Sequence, residues 1–426
     1  KDGGEQIKSL KRKLGLFEVT VSGIGIILGA GIYALLGEAA PLAGNALWLS
    51  FIISSIVAAF TALSYGELSS MFPSAAAEYE YVKNAIGRRV AFVIGWLIIL
   101  SAVISSSAVA IGFGNYLAVL VNIPPVVSAI GLLIVLSLLL FIGIKESAWV
   151  AIIFTSIEAL GLLIIFVIGV PYWGSVNYLE MPLGINGVMA AAALIFFAYL
   201  GFEEIVKLSE ETNEPNRNIP RAIILAMIIS TVLYILVSFS SVSILGWEVL
   251  ANSQAPFSQI ANAALGANGG FLLTIIALFA TSNTVLLLLL AGSRIVYGMS
   301  EFRSLPRVLG KVHPRTRTPW VSIVVVGLAA VVFLFVGNLE FLASTNNYTL
   351  FLSFIFINAS VLILRYTSPE LKRPFRIPLN IKNIPILSVF GLLTCIVLLT
   401  QLNLDAIILG IILTVVGVVL AFLSRK

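Results

Sequence analysis

Apolar residues run through this chain in long blocks, and most charged residues fall in the short stretches between them. Blocks of about 20 residues match the hydrocarbon thickness of a bilayer. Twelve can be drawn, at 16–44, 46–71, 90–121, 126–143, 148–170, 187–208, 220–246, 269–300, 319–336, 341–365, 384–401 and 404–423. Backbone amides and carbonyls in lipid must be satisfied within the segment, so each block reads as a helix. The runs are continuous, unlike the short alternating segments of a membrane β-barrel. The pattern therefore predicts an all-α polytopic membrane protein with 12 transmembrane helices. Blocks longer than 25 residues imply tilt, extension beyond the membrane, or a break.

Two blocks are interrupted at corresponding places. The first contains Gly29-Ala30-Gly31, and glycines there weaken a helix. The sixth, five blocks later, contains Leu200-Gly201-Phe202 followed by Glu203 and Glu204. A small-residue notch can simply admit a neighbouring helix. Interruptions that recur in both halves point instead to inverted repeats, with a binding site at the breaks. Unwound backbone exposes amides and carbonyls, which in lipid must line a polar cavity. The N-terminal end of a half-helix starting at Gly31 suits a carboxylate. Free carbonyls suit an ammonium group, and an α-amino acid carries both.

Composition and charge sharpen this picture. Hydrophobic residues make up 59% of 426 positions and charged residues 11%, against about 25% charged in soluble domains. Lys and Arg follow one alternation. With the N-terminus inside, cytoplasmic connections hold Lys83, Arg88 and Arg89, then Lys145, then Lys207, Arg217 and Arg221. Arg303, Arg307, Lys311, Arg315 and Arg317 follow, then Lys372, Arg373, Arg376 and Lys382, then Arg425 and Lys426. The external connections hold none. This meets the positive-inside rule and places both termini in the cytoplasm. The net charge of +5 is thus a topology signal, and a nucleic-acid partner is not expected. Arg294 and Arg365, near helix ends, are expected to snorkel. The basic N-terminus (Lys8, Lys11, Arg12, Lys13) has no cleavage site of signal-peptide type. Cys395, the single cysteine, excludes a disulfide framework.

The motifs are specific in combination. Gly29-Ala30-Gly31-Ile32-Tyr33, Phe196-Phe197-Ala198-Tyr199-Leu200-Gly201-Phe202-Glu203, and Glu210-Glu211 followed by Glu214-Pro215-Asn216-Arg217-Asn218-Ile219-Pro220 stand in order along the chain. With Arg294 to Pro306 and Pro314-Arg315-Thr316-Arg317-Thr318-Pro319, they resemble the amino acid–polyamine–organocation superfamily. Its prokaryotic permease and cationic amino-acid transporter branches are the nearest in pattern. The resemblance runs from about residue 12 to 365, and Pro73-Ser74-Ala75-Ala76-Ala77 departs where the family has a glycine.

The resemblance implies five plus five inverted helices of the leucine-transporter type, at 16–175 and 185–366, after a cytoplasmic segment 1–15 and before two appended helices over 384–423. It implies that amides around Gly29, Ala30 and Gly31 hold the substrate carboxylate. The carbonyls of Ile27, Phe197 and Leu200 would hold its amino group, beside Ala198, with Phe197 as an aromatic lid. Ser101, Ser105 and Ser106 either leave room for a side chain or mark helix contacts.

Acids within the blocks are separate candidates. Glu158 stands where proton-coupled relatives place a lysine. A carboxyl in a low-dielectric setting can exchange a proton, and it can also ligate sodium. Family geometry would set it against the Gly25 and Leu28 carbonyls and against Ser282 and Asn283. A structural acid hydrogen-bonded between helices is the alternative. Glu203 is a second coupling candidate, and Glu67 is expected in a cytoplasmic polar cluster. His313, the only histidine, reads as an exposed loop residue, and no metal, phosphate-loop or nucleophile–base set appears.

The sequence thus predicts a secondary active transporter of amino acids in the plasma membrane, not an enzyme. H+ symport, with Na+ as the other candidate ion, leads over exchange of amino acids or polyamines, and a channel comes last. No cofactor is expected. Neutral or small amino acids come first, because no acid can be assigned to a side-chain pocket. The short loop before the fourth block has no cysteine, so no disulfide-linked accessory subunit is expected.

Overall fold

The computed structural model describes residues 14–72, 77–143, 148–210 and 212–423. The expectations for Lys8, Lys11, Arg12, Lys13, Pro73 to Ala76, Lys145, Glu211, Arg425 and Lys426 concern residues outside this set. Each of the twelve apolar blocks holds a helix. The first block is two pieces, α1 (Leu16–Ile27) and α2 (Gly31–Ala43), and the second is α3 (Leu47–Met71). After a short α4 (Ala77–Ala85) come α5 (Arg88–Leu120), α6 (Pro125–Ile142) and α7 (Ala148–Gly169). The sixth block begins as α8 (Gly184–Ile195) and continues as two tight helical stretches, Phe196–Tyr199 and Phe202–Glu210. Then follow α9 (Pro215–Leu245), α10 (Trp247–Ala251), α11 (Pro256–Leu265) and α12 (Ala267–Glu301). The last are α13 (Trp320–Phe333), α14 (Leu339–Thr367), α15 (Ile386–Thr400) and α16 (Leu404–Leu423).

Three helices were not anticipated. α4, α10 and α11 have 9, 5 and 10 residues, too short to register as membrane-length blocks. α4 is set by its ends, with Glu78 and Glu80 in its first turn and Lys83 in its last, both favourable to the helix dipole. A two-residue ladder, Asn380–Ile381 against Ile384–Pro385, was also missed.

The core is built around α5, which is buried along most of its length and packs against α12 and α14. The helices at the periphery are apolar outward. Val135, Leu138 and Ile142 of α6, Leu160, Leu163 and Val167 of α7, and Ile411, Ile412 and Val415 of α16 are all exposed. Continuous apolar surface on this scale belongs in lipid. At one end, Glu180 ties three elements together. Its carboxylate accepts from Asn45 Nδ2 at 2.7 Å and from Trp247 Nε1 at 3.2 Å, while its carbonyl accepts the Ala46 amide.

Candidate functional site

The first break is where the glycines place it. α1 ends at Ile27, the chain turns across Leu28-Gly29-Ala30, and α2 restarts at Gly31. The Ala30 amide donates to Thr284 Oγ1 on α12 at 2.9 Å. A Cβ on Gly29 would stand 2.8 Å from the same hydroxyl. Thr284 thus substitutes for the acceptor that a continuous helix would supply. In this arrangement the Ala30 amide is engaged by protein.

The second break follows the Phe196–Tyr199 turn. Gly201 has φ +109°, a conformation that side chains rarely adopt, and its Cβ position is filled by Ile26 of α1. Its amide donates to Glu203 Oε2 at 3.0 Å, so the Glu203 carboxylate sits at the start of the next helical stretch. The two breaks touch. A Cβ on Gly31 would lie 2.6 Å from Ala198 Cα. Tyr234 Oη of α9 reaches both, lying 2.6 Å from the Ile27 carbonyl and 2.9 Å from the Ala198 carbonyl. The Ile27 carbonyl is therefore held by a tyrosine, and the Phe197 carbonyl accepts the Leu200 amide at 3.4 Å. Phe197 and Ala198 are buried, and Leu200 is half-buried.

Beside the second break is a buried polar wall. Ser101 Oγ donates to Asn346 Oδ1 at 2.7 Å, and Asn347 Nδ2 donates to the Ala193 and Leu194 carbonyls at 2.7 and 2.9 Å. Three neighbouring polar atoms have no hydrogen-bond partner among the described residues: Ser105 Oγ, Asn346 Nδ2 and Asn347 Oδ1. A buried unsatisfied group costs roughly 1–3 kcal/mol, so this wall has spare donors and acceptors facing inward. Ser106 bonds back to the Ala102 carbonyl of its own helix at 2.7 Å. The sequence reading missed Asn346 and Asn347, although adjacent asparagines inside an apolar block were a visible signal.

Glu158 on α7 is 1% exposed and lies against α12 and α2. Asn283 Nδ2 donates to its Oε1 at 2.9 Å, and Oε2 has no partner among the described residues. Its carbonyl accepts Tyr33 Oη at 2.6 Å, which ties α2 to α7. One turn earlier, Thr155 fills the space where a Cβ on Gly25 would go, so α1 and α7 approach closely there. Of the expected set, Asn283 meets Glu158, Gly25 meets Thr155 rather than Glu158, and Leu28 is buried. Ser282 turns back to the Leu278 carbonyl at 2.7 Å. A groove of about 370 Å³, lined mainly by Phe113, Leu136, Phe154 and Phe279, opens beside Ser282 and Asn283.

Two expectations are corrected. Arg365 does not snorkel. It is 1% exposed and forms a two-pronged ion pair with Glu67, at 2.9 and 2.5 Å. Glu67 thus anchors a polar cluster at the ends of α3 and α14. His313 is half-buried, its Nδ1 3.3 Å from the Thr316 amide and its ring beside Phe141. Arg217 and Glu214 form an exposed pair at 3.8 Å across the first turn of α9. Cys395 is buried and free.

The family model described as amino acid permease matches residues 14–423. The branched-chain amino acid permease BcaP of Bacillus subtilis is 31% identical, over 98% of this chain and 94% of its own length. The methylthioribose transporter of the same organism is 32% identical, over 89% of this chain and 87% of its own. The vacuolar cationic amino acid transporter 4 of Arabidopsis thaliana is 31% identical over 87% of this chain, which spans 65% of that protein. Matched over nearly its whole length, this chain belongs to the amino acid permease family of the amino acid–polyamine–organocation superfamily.

Proposed function

We propose that this protein is a secondary active transporter of neutral amino acids, working by alternating access and driven by protons taken up at Glu158. The observation that carries the reading is the Glu158 carboxyl. It is buried, held on one oxygen by Asn283, and lacks a described partner on the other. A buried carboxylate with a bare oxygen is unfavourable, and either a proton or a cation relieves it. It stands one turn from the place where α7 meets the broken helix, so its charge state acts on the element that must move.

Substrate is received between the breaks. The Gly29 and Gly31 amides at the start of α2 take the carboxylate while Thr284 keeps the Ala30 amide, and the second lone pairs of the Ile27 and Phe197 carbonyls, with the Leu200 carbonyl, take the ammonium. Phe197 closes over it. The wall is built from the neutral polar side chains of Ser101, Ser105, Asn346 and Asn347, and none of these four can balance a cationic side chain. A relative named for branched-chain amino acids fits a neutral substrate. The first five spans and the next five act as inverted repeats, with both termini cytoplasmic and the protein in the plasma membrane.

The test is uptake of radiolabelled neutral amino acids into proteoliposomes with an inward proton gradient, then with a sodium gradient. Wild type accumulates substrate with protons. Glu158→Gln keeps gradient-independent counterflow and loses accumulation. Equal accumulation by both proteins sinks the coupling role, and counterflow alone in both makes the protein an exchanger. Accumulation driven by sodium alone replaces the proton with a cation at the same carboxylate.

A further inference from the structure

A second cluster lies where α14 ends and the chain returns to start α15. Glu67, at the end of α3, is surrounded by donors. Besides the two from Arg365, its Oε2 accepts the Ile377 amide at 2.9 Å. Arg365 also bonds to Asn380 through Nη1, and Asn383 Nδ2 donates to the Arg365 carbonyl at 2.7 Å. Arg373 caps α14. Its two terminal nitrogens donate to the Leu364, Ser368, Pro369 and Leu371 carbonyls at 2.8–3.2 Å. Its Nε has no hydrogen-bond partner among the described residues, although its side chain is only 10% exposed. That nitrogen lies 3.5 Å from Glu67 Oε1, which Arg365 already occupies. Arg376 is exposed and reaches Asn383 Oδ1 at 3.3 Å through one nitrogen.

These three arginines share one cavity. It has a volume of about 290 Å³ and is lined by Arg365, Pro369, Leu371, Arg373, Arg376 and Asn383. The carboxylates nearby do not balance it. Glu67 pairs with both Arg365 and Arg373, and Glu370 acts on Arg373 as a neighbouring charge, so three guanidiniums face two carboxylates. Burial, together with Arg365 and Arg376, holds the Arg373 guanidinium below the ordinary arginine range despite the pull of Glu67 and Glu370. Guanidiniums that crowd one cavity with spare donors match an oxyanion with several acceptor oxygens. The cavity also sits at the level where two apolar helices end, the depth of lipid headgroups.

We propose that this pocket binds a phosphate-bearing anion through Arg373, Arg376 and Arg365, either the headgroup of an anionic lipid or a soluble phosphate. The bound anion clamps the 368–385 segment onto α3 and α14. α14 carries the Asn346–Asn347 wall, and α3 accepts α8 through Ser50 and Ser54, whose hydroxyls donate to the Val188 and Ala192 carbonyls. Occupancy therefore stabilises the scaffold around the site read above as the substrate site. The binding itself does not depend on that reading.

The experiment uses the full chain in phosphatidylcholine nanodiscs. Melting temperature is followed as inorganic phosphate is added against chloride at matched ionic strength. In a second arm, phosphatidylglycerol replaces part of the phosphatidylcholine. Wild type is expected to gain a saturable rise with at least one phosphate source. R376Q, which alters an exposed side chain that among the described residues bonds to Asn383, is expected to weaken apparent affinity about tenfold. A rise with inorganic phosphate identifies a soluble ligand, and a rise with phosphatidylglycerol alone identifies a headgroup. Native mass spectrometry of wild type and R376Q gives a second count, of phospholipid retained per protein. No rise beyond chloride in either arm, or equal rises and equal lipid retention in R376Q, overturns the proposal.

Discussion

Tyr234→Phe removes one oxygen atom, yet it should be felt at both breaks. The hydroxyl has a single hydrogen and two acceptors, at 2.6 and 2.9 Å. In a continuous helix the Ile27 carbonyl would be paired along the axis, but at the break it relies on Tyr234. Phenylalanine fills the same space and leaves both buried carbonyls short of a donor. A hydrogen bond contributes about 0.5–1.5 kcal/mol net, and an orphaned buried acceptor costs about 1–3 kcal/mol. We take about 1–2 kcal/mol against the arrangement described here, a factor of roughly 5–30 in the balance between this arrangement and others. Initial rates of leucine uptake in proteoliposomes, with equilibrium binding measured separately, should show half-saturation shifting about fivefold or more. Tyr116→Phe is the control, because that hydroxyl donates to the Tyr33 carbonyl at 2.8 Å and touches neither break. If both variants lose similar thermal stability and neither alters half-saturation, the bridging argument is wrong.

Three further outcomes follow from contacts already described. Gly31→Val should abolish uptake while folded protein is still recovered by size-exclusion chromatography, because its Cβ would meet the backbone of Ala198 at 2.6 Å; wild-type rates in this variant would refute the close approach. Glu67→Gln leaves Arg365 buried without its counter-charge, and breaking such a pair costs about 3–5 kcal/mol. Its melting temperature should fall well below that of Glu214→Gln, whose exposed pair is worth under about 1 kcal/mol, and equal melting would refute the difference. Thr284→Val deprives the Ala30 amide of its acceptor, a loss of about 1 kcal/mol. Substrate binding measured by scintillation proximity should change several-fold, and an unaltered affinity would remove Thr284 from the site.

Part of this was legible because some signals are local. Apolar blocks fixed the spans, since lipid leaves the backbone no alternative to a helix. Gly29, Gly31 and Gly201 marked the breaks because glycine interrupts a helix without help from distant residues. Glu158 stood out as a carboxyl in an apolar run. What could not be read depended on pairing across the chain. Arg365 looked like a snorkelling residue until Glu67, 298 positions away, was found beside it. Tyr234 and Thr284 are ordinary residues on their own helices, and only the packing of α9 and α12 against α1 gives them a function. Ser282 was expected with Asn283, but consecutive residues on a helix point about 100° apart, and only Asn283 turns toward Glu158.

The contact between Gly31 and Ala198 makes two distant positions one variable. Neither can grow while the other keeps its place, since the space for a methyl group at Gly31 is already taken by backbone. Anyone seeking to widen the range of substrates by substitution should leave this pair fixed and vary the wall we propose to line the substrate, at Ser101, Ser105 and Asn346. In natural sequences, a larger residue at one of the two positions should be accompanied by a shifted helix path, so that the pair reports backbone geometry rather than substrate preference.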